Sequence, residues 1–239
     1  MAAIIVVGPR KGRFVDGKVN QIPGSNLPFA MLGMMFFIIG WIGFNGGSTL
    51  EFSEAIPGII VNTLIAATVG GITGMLLGHY QPVGNQTSQL TINGTLAGLV
   101  AITAGCHAVS TLEAALIGGV GALCMRLTEL LLIRLKLDDA ISATPVHLAA
   151  GIWGTLAVAL FGDASVLGTG LTRPEQLLVQ IKGILICGAW AFSLSLAFLL
   201  VLRRFTPLRV TDAAEDEGLN SSEHGASTEL TRALPEGHC

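Results

Sequence analysis

Five apolar runs long enough to cross a lipid bilayer constrain this chain most: residues 27–45, 55–79, 112–132, 144–162 and 176–202. A spanning helix needs about 20 mostly apolar residues, because the hydrocarbon offers no hydrogen-bonding partner and each segment must satisfy its own backbone. A sixth run, 90–106, is shorter and carries Thr91, Asn93 and Thr95, so it reads as a small helix inside a bundle, sheltered from lipid. The composition agrees: of 239 residues, 51% are hydrophobic and 12% charged, outside the range of soluble domains. The fold class is therefore an all-α polytopic membrane protein with about six transmembrane helices. Its immediate partner is the lipid bilayer, not nucleic acid.

Six spans place both termini on one side, and Lys and Arg say which. Arg10, Lys11, Arg13 and Lys18 precede the first span, Arg134 and Lys136 lie between the fourth and fifth, and Arg203, Arg204 and Arg209 follow the last. The opposite loops hold Arg173 alone, beside Glu51 and Glu54. The positive-inside rule puts both termini in the cytoplasm of a multi-pass protein of the cell (inner) membrane. Three regions follow: 1–26, the end of a preceding helix and a cytoplasmic connection; 27–203, a six-helix transmembrane region; and 204–239, a polar cytoplasmic tail of low intrinsic order. The opening "MAAIIVVGPRKGR" has no basic residue before a short apolar run. It does not read as a secretory signal, but as the last two turns of a spanning helix.

Within the spans, glycines recur at spacings that bare one helix face: Gly70, Gly74 and Gly78; Gly94 and Gly98; Gly118 and Gly121; Gly151 and Gly154. Such faces let helices approach closely. Arg126 and Glu129, three apart, are placed to pair or to reach the cytoplasmic surface, and Lys182 sits near the outer end of the last span. The four cysteines form no pair motif and read as buried packing residues.

Two features ask for a function. His147, in "PVHLAAGIWGTL", has no charged residue within seven positions. Ala143, Thr144, Ala150, Gly151 and Gly154 are its helical neighbours, so the ring meets another helix closely or opens on a cavity. A metal or haem role needs a second ligand, and His79 and His107 lie at span ends on opposite sides. In "GWIGFNGGST", Trp41, Phe44 and Ser48 share a face at the outer end of the first span. That face suits either an interfacial aromatic belt or a small cation attracted by the rings and bonded to the hydroxyl.

The stretches "WIGFNGGS", "VNTLIAATVGG", "NGTLAGLVAITAGC", "LDDAISATPVHLAAGIWGTL" and "EGLNSSEHG" resemble, in order and spacing, the second half of the ammonium transporter (Amt) family. The resemblance implies an eleven-helix fold, ten helices forming two inverted five-helix repeats around a narrow pore, in a homotrimer. This chain would supply the second repeat and final helix, and its N-terminal repeat would be missing. Such proteins are understood to bind ammonium in an outer aromatic vestibule, remove its proton and pass ammonia along an apolar pore, with paired histidines relaying the proton. The resemblance makes Phe44 one of two stacked gate phenylalanines, Ser48 the vestibule hydroxyl and His147 the second pore histidine. Trp41, Asn45, Asp139 and Gly151 take supporting roles. It implies no enzymatic activity, catalytic residue, cofactor or metal.

The chain departs from the family pattern at Ser142, where a second acidic residue is usual, and at His107, where glycine is usual. In the tail, Asn220 and Ala226 replace acidic residues, which bears on regulation by a trimeric P-II nitrogen-signalling protein. The expected function is ammonium/ammonia transport, with this half inactive alone. The alternatives are a stand-alone interaction or ammonium-sensing membrane protein that binds a P-II-type regulator, and a Rhesus-type ammonia channel, against which the tail speaks.

Overall fold

The computed structural model describes residues 1–24, 26–80, 86–223 and 225. In chain order the elements are α1 (Ala2–Val7), β1 (Phe14–Val15), β2 (Lys18–Val19), α2 (Leu27–Gly47), α3 (Ile56–His79), α4 (Thr87–Thr103) and α5 (Thr111–Arg134). A π-helical turn, Thr144–Ala149, then runs straight into α6 (Ala150–Phe161), followed by α7 (Ala164–Leu167), α8 (Arg173–Leu202), α9 (Asp212–Glu217) and α10 (Leu219–Ser222). Among the described residues, five helices are long and apolar enough to cross a membrane: α2, α3, α5, the π-turn with α6, and α8.

The sixth helix, α4, has 17 residues, and Leu90, Asn93, Thr95, Leu99 and Ile102 are among the many it buries. It packs against α2, α3, α5, α6 and the π-turn. That position explains its polar content. The Thr91 and Thr95 hydroxyls donate to the carbonyls of Thr87 and Thr91, at 2.7 and 2.9 Å, so neither needs water or lipid.

Glycine lets these helices approach. A Cβ on Gly74 would collide with the Leu90 carbonyl, one on Gly70 with the Gly94 carbonyl and one on Gly78 with Thr87 Cα. Gly98 and Gly118 each face the Ala66 carbonyl, while Gly121 and Gly154 face Ala101. These contacts join α3, α4, α5 and α6 at backbone distance, as the spacing predicts. Gly151 is different: a Cβ there would meet only Val100 at an ordinary 3.7 Å. It stands at the rim of the interface and is not part of the tight seam.

Helix ends follow local chemistry. Asn26 caps α2 by accepting the Phe29 N–H at 2.9 Å. Ser110 and Glu113 close a reciprocal capping box on α5, satisfying first-turn N–H groups. Arg126 and Glu129 pair at 2.6 Å on α5, and Arg126 is only 6% exposed. It is therefore paired and buried within the protein. Cys106 is buried and Cys124 half-buried, but Cys187 is exposed. The general burial expected of the cysteines fails there because α8 buries little of its length. Cys239 lies outside the described residues.

The all-α expectation has one small exception. β1 and β2 pair antiparallel through Phe14↔Val19 and Val15↔Lys18, turning at Asp16 and Gly17, whose φ values are 49° and 76°. Consecutive positive φ is what a two-residue hairpin requires, and Asp-Gly supplies it cheaply.

The chain divides into two compact units. One, Asn26–Leu135 with Asp139–Ala191, holds the helical bundle. The other, Met1–Ser25 with Lys136–Asp138 and Phe192–Cys239, is held by charge. Arg10 donates from Nε, Nη2 and its backbone N–H to the Asp138 carboxylate at 2.7, 2.9 and 3.0 Å. Arg13 Nε stands 3.4 Å from the same group, a charge contact without hydrogen-bond geometry. The Lys11 N–H and Nζ donate to Glu215 and Asp216, while Arg209 donates to Glu215 and the Pro9 carbonyl. Burial alone pushes the Asp138 carboxyl up. The hydrogen bonds from Arg10 and the charges of Arg10 and Arg13 outweigh it and hold the group below the usual carboxylate range. The hydrogen bond to Asp138 in turn raises the Arg10 guanidinium.

Candidate functional site

The first part of the site forms at the C-terminal end of α2. Asn45 is 3% exposed and donates to Thr63 Oγ1 on α3 at 2.9 Å. Thr63 passes its own proton to the Ile59 carbonyl. Trp41 Nε1 donates to Thr103 Oγ1 on α4 at 2.8 Å. Two polar ties thus fix α2 against both neighbours. Trp41 is tied to protein through its N–H and half-buried, which an interfacial belt does not require.

Between these ties, Phe44 is 58% exposed, its ring edge-on to Trp41 with centroids 6.1 Å apart. Ser48, also exposed, ends the helix and donates its hydroxyl proton to the Phe44 carbonyl at 2.6 Å. Its donor is spent and its lone pairs stay open, the state in which a hydroxyl accepts from a cation. A cleft of about 450 Å³ opens beside it, walled by Asn45, Ser48, Thr49, Glu51, Thr103 and His107 among others. Phe44 is not one of its walls.

The second part surrounds His147. The Asp139 carboxylate accepts the N–H groups of Ala143 and Thr144 at 3.0 and 2.6 Å, so it caps the start of the helix and places negative charge at its positive end. Ser142, just before, is 3% exposed with φ 54°, a left-handed conformation that costs energy for a residue with a Cβ. After Ala143, residues Thr144–Ala149 form the π-turn. Such turns are rare and concentrate at functional sites.

The π-turn changes which residues share a face with His147. Its ring is exposed, with Leu148 and Ile152 exposed nearby and Ala143 and Gly151 half-buried. Thr144, Ala150 and Gly154, expected beside it from ordinary helical spacing, are buried. A π-turn carries more residues per turn, so the three- and four-residue rule does not hold across it.

The two parts share α4 as a neighbour, since α2, α6 and the π-turn all pack on it. Phe44, Ser48, Trp41 and Asn45 come together at one helix end, while His147, Asp139 and Gly151 belong to the other segment. Thr63 and Thr103, which orient Asn45 and Trp41, carry no local signal; both bonds join residues far apart in sequence. Asn62 is similar, donating to the carbonyls of Cys106 and Val109 at 3.0 and 2.8 Å and so holding the loop that carries His107.

A model of the Ammonium Transporter Family matches residues 1–229. A relative from Synechocystis sp. (strain ATCC 27184 / PCC 6803 / Kazusa) is 46% identical over 230 residues, covering 96% of this chain and 42% of the relative. The ammonium transporter Amt2 of Archaeoglobus fulgidus is 35% identical over 258 residues, covering 99% and 55%. Among solved structures, one named Sensor Amt Protein is similar with a TM-score of 0.87 and 38% identity, over 93% of this chain and 55% of that one. The chain spans about half the length of the curated relatives it matches.

Proposed function

The chain belongs to the Ammonium Transporter Family, and from that premise we propose that it forms the C-terminal half of an ammonium transporter: a second inverted repeat, the final helix and a cytoplasmic tail. One observation carries this reading. Phe44, Ser48 and His147 are all exposed, although the backbone beneath each is held by buried bonds or a helix cap. Inverted-repeat transporters build their path at the interface between repeats, and a fixed, open polar and aromatic face suits a second repeat better than it suits lipid.

In this reading ammonium rests in an outer vestibule, drawn by the faces of Trp41 and Phe44 and donating a hydrogen bond to Ser48. Carrying the charge through the bilayer centre costs about 3 kcal/mol or more, so the proton leaves and ammonia continues. Imidazole both donates and accepts hydrogen bonds, which fits His147 to an uncharged guest and to proton relay. Asp139 positions the π-turn. The complete protein is a homotrimer of the cell (inner) membrane with cytoplasmic termini, and a P-II-type regulator binds at the tail.

The test is growth of an ammonium-uptake-deficient strain on low ammonium at acidic pH, where diffusive ammonia entry is small. This chain co-expressed with a matching N-terminal repeat should rescue growth, and His147→Ala should abolish the rescue. Growth with this chain alone would overturn the half-channel reading.

One observation favours a second reading, a stand-alone membrane sensor: the likeness to a structure named Sensor Amt Protein. In that case the chain alone, without an N-terminal repeat, binds a P-II-type protein, and deleting residues 207–239 abolishes the binding.

A further inference from the structure

We propose that His107 is a charge-setting residue of the outer cleft, and that its protonation weakens the binding of ammonium-class cations there. The inference rests on the reading of the Ser48 cleft as the ammonium vestibule. His107 sits in the loop between α4 and α5, is exposed, and lines two clefts at once. One is the 450 Å³ cleft with Ser48, Thr49 and Glu51. The other, about 510 Å³, is walled by Ser110, Glu113, Asp163 and Arg173 among others.

Among the described residues, no other imidazole lines either cleft. The charges that share these walls are Glu51 on the vestibule side and Glu113, Asp163 and Arg173 on the other. Most of them are already engaged. Glu113 closes the capping box with Ser110, Asp163 accepts from the Ser165 backbone and hydroxyl, and Arg173 donates to the carbonyls of Ala159 and Leu160 at 3.2 and 2.7 Å. The Glu51 carboxylate attracts a cation. His107 therefore adds a switchable charge to the vestibule wall, because imidazole is the side chain that ordinarily gains or loses its proton between pH 5 and 8.

Neutral His107 leaves the Ser48 lone pairs and Glu51 to attract a cation. Protonated His107 puts a second positive charge into the same small space. At separations of several ångströms near a wet surface this repulsion weakens binding on the order of 3- to 10-fold. Coupling is reciprocal. A cation in the vestibule must make His107 harder to protonate, lowering its midpoint by about 0.5 to 1 pH unit at saturation.

The experiment uses the whole chain in detergent, with the His107 ring assigned in NMR spectra by its disappearance in His107→Gln. Titrating from pH 5 to 8 with and without saturating methylammonium, the His107 midpoint should fall in its presence, while Ser48→Ala removes most of the difference. A midpoint that methylammonium leaves unmoved overturns the inference, whether or not the co-expressed halves transport. In the co-expressed pair, His107→Gln should flatten the rise in methylammonium affinity between pH 5 and 8 while leaving uptake at pH 8 within about twofold. An unchanged pH dependence likewise counts against it. Failure of rescue by the co-expressed wild-type halves, by contrast, overturns the half-channel reading and not the midpoint result.

Discussion

Ser48 shows how one hydrogen bond can set a side chain's role. Because its proton goes to the Phe44 carbonyl, the hydroxyl meets the cleft as an acceptor. Ser48→Ala in the co-expressed pair should raise the half-saturating methylammonium concentration about 10-fold, the worth of one hydrogen bond to a charged group, with the maximal rate little changed. An unaltered uptake curve would remove Ser48 from the binding site. Asp139 acts through the backbone: Asp139→Ala strips the cap from Ala143 and Thr144 N–H and should cost about 0.5 to 2 kcal/mol. Thermal unfolding in detergent reads the loss. Asp139→Asn, whose amide offers one oxygen acceptor where the carboxylate uses two, should restore only part of the loss.

At the scale of elements, the glycine seam between α3 and α4 is the most sensitive feature of the bundle. A leucine at Gly74 meets the Leu90 backbone, which cannot move aside as a flexible side chain could, so the helices must separate. The expected cost is about 1 to 3 kcal/mol, with loss of trypsin resistance in the bundle. Gly33 on α2, with nothing within 4 Å of its Cβ position, is the control. Gly33→Ala should leave stability unchanged or raise it slightly through helix propensity. Equal effects of the two substitutions would mean that the close approach of α3 and α4 contributes nothing. The π-turn carries a different lesson: the extra residue that widens it at Thr144–Ala149 also decides which neighbours accompany His147.

At the scale of the whole chain, the charge cluster around Asp138 ties the N-terminal connection to residues 136–138. The Asp138 side chain is 2% exposed and its pKa is depressed in the folded state. Its contribution is therefore present above the unfolded carboxylate pKa of about 3.9 and lost as pH falls through the lower folded value. Asp138→Asn should destabilise this unit by about 1 to 3 kcal/mol at pH 7, the lower end reflecting the partly exposed Arg10. The difference from wild type should shrink steadily below pH 4. Hydrogen exchange of the backbone amides of residues 10–13 between pH 3 and 7 measures this, and a difference that did not shrink on acidification would argue against the charged pairing.

The sequence by itself determined that the chain is helical and membrane-embedded, and where its long helices run. Hydrocarbon length and backbone satisfaction leave no other fold for such apolar runs. It also marked the glycines of the α3–α4 seam, because a spacing of four survives any straight helix. That Phe44 and Ser48 stand one turn apart at the C-terminal end of α2 was legible for the same reason. What bonds across 44 to 62 residues was not legible. Trp41 reaches Thr103, and Asn62 holds the loop bearing His107, through contacts that local periodicity does not encode. Only the tertiary structure showed Ser142 with positive φ, the π-turn after it, Gly151 at the rim and not in the seam, and His107 beside Ser48 in one cleft. The π-turn, α2 and α6 all pack on α4, so the side chains brought together come from segments that the sequence keeps apart.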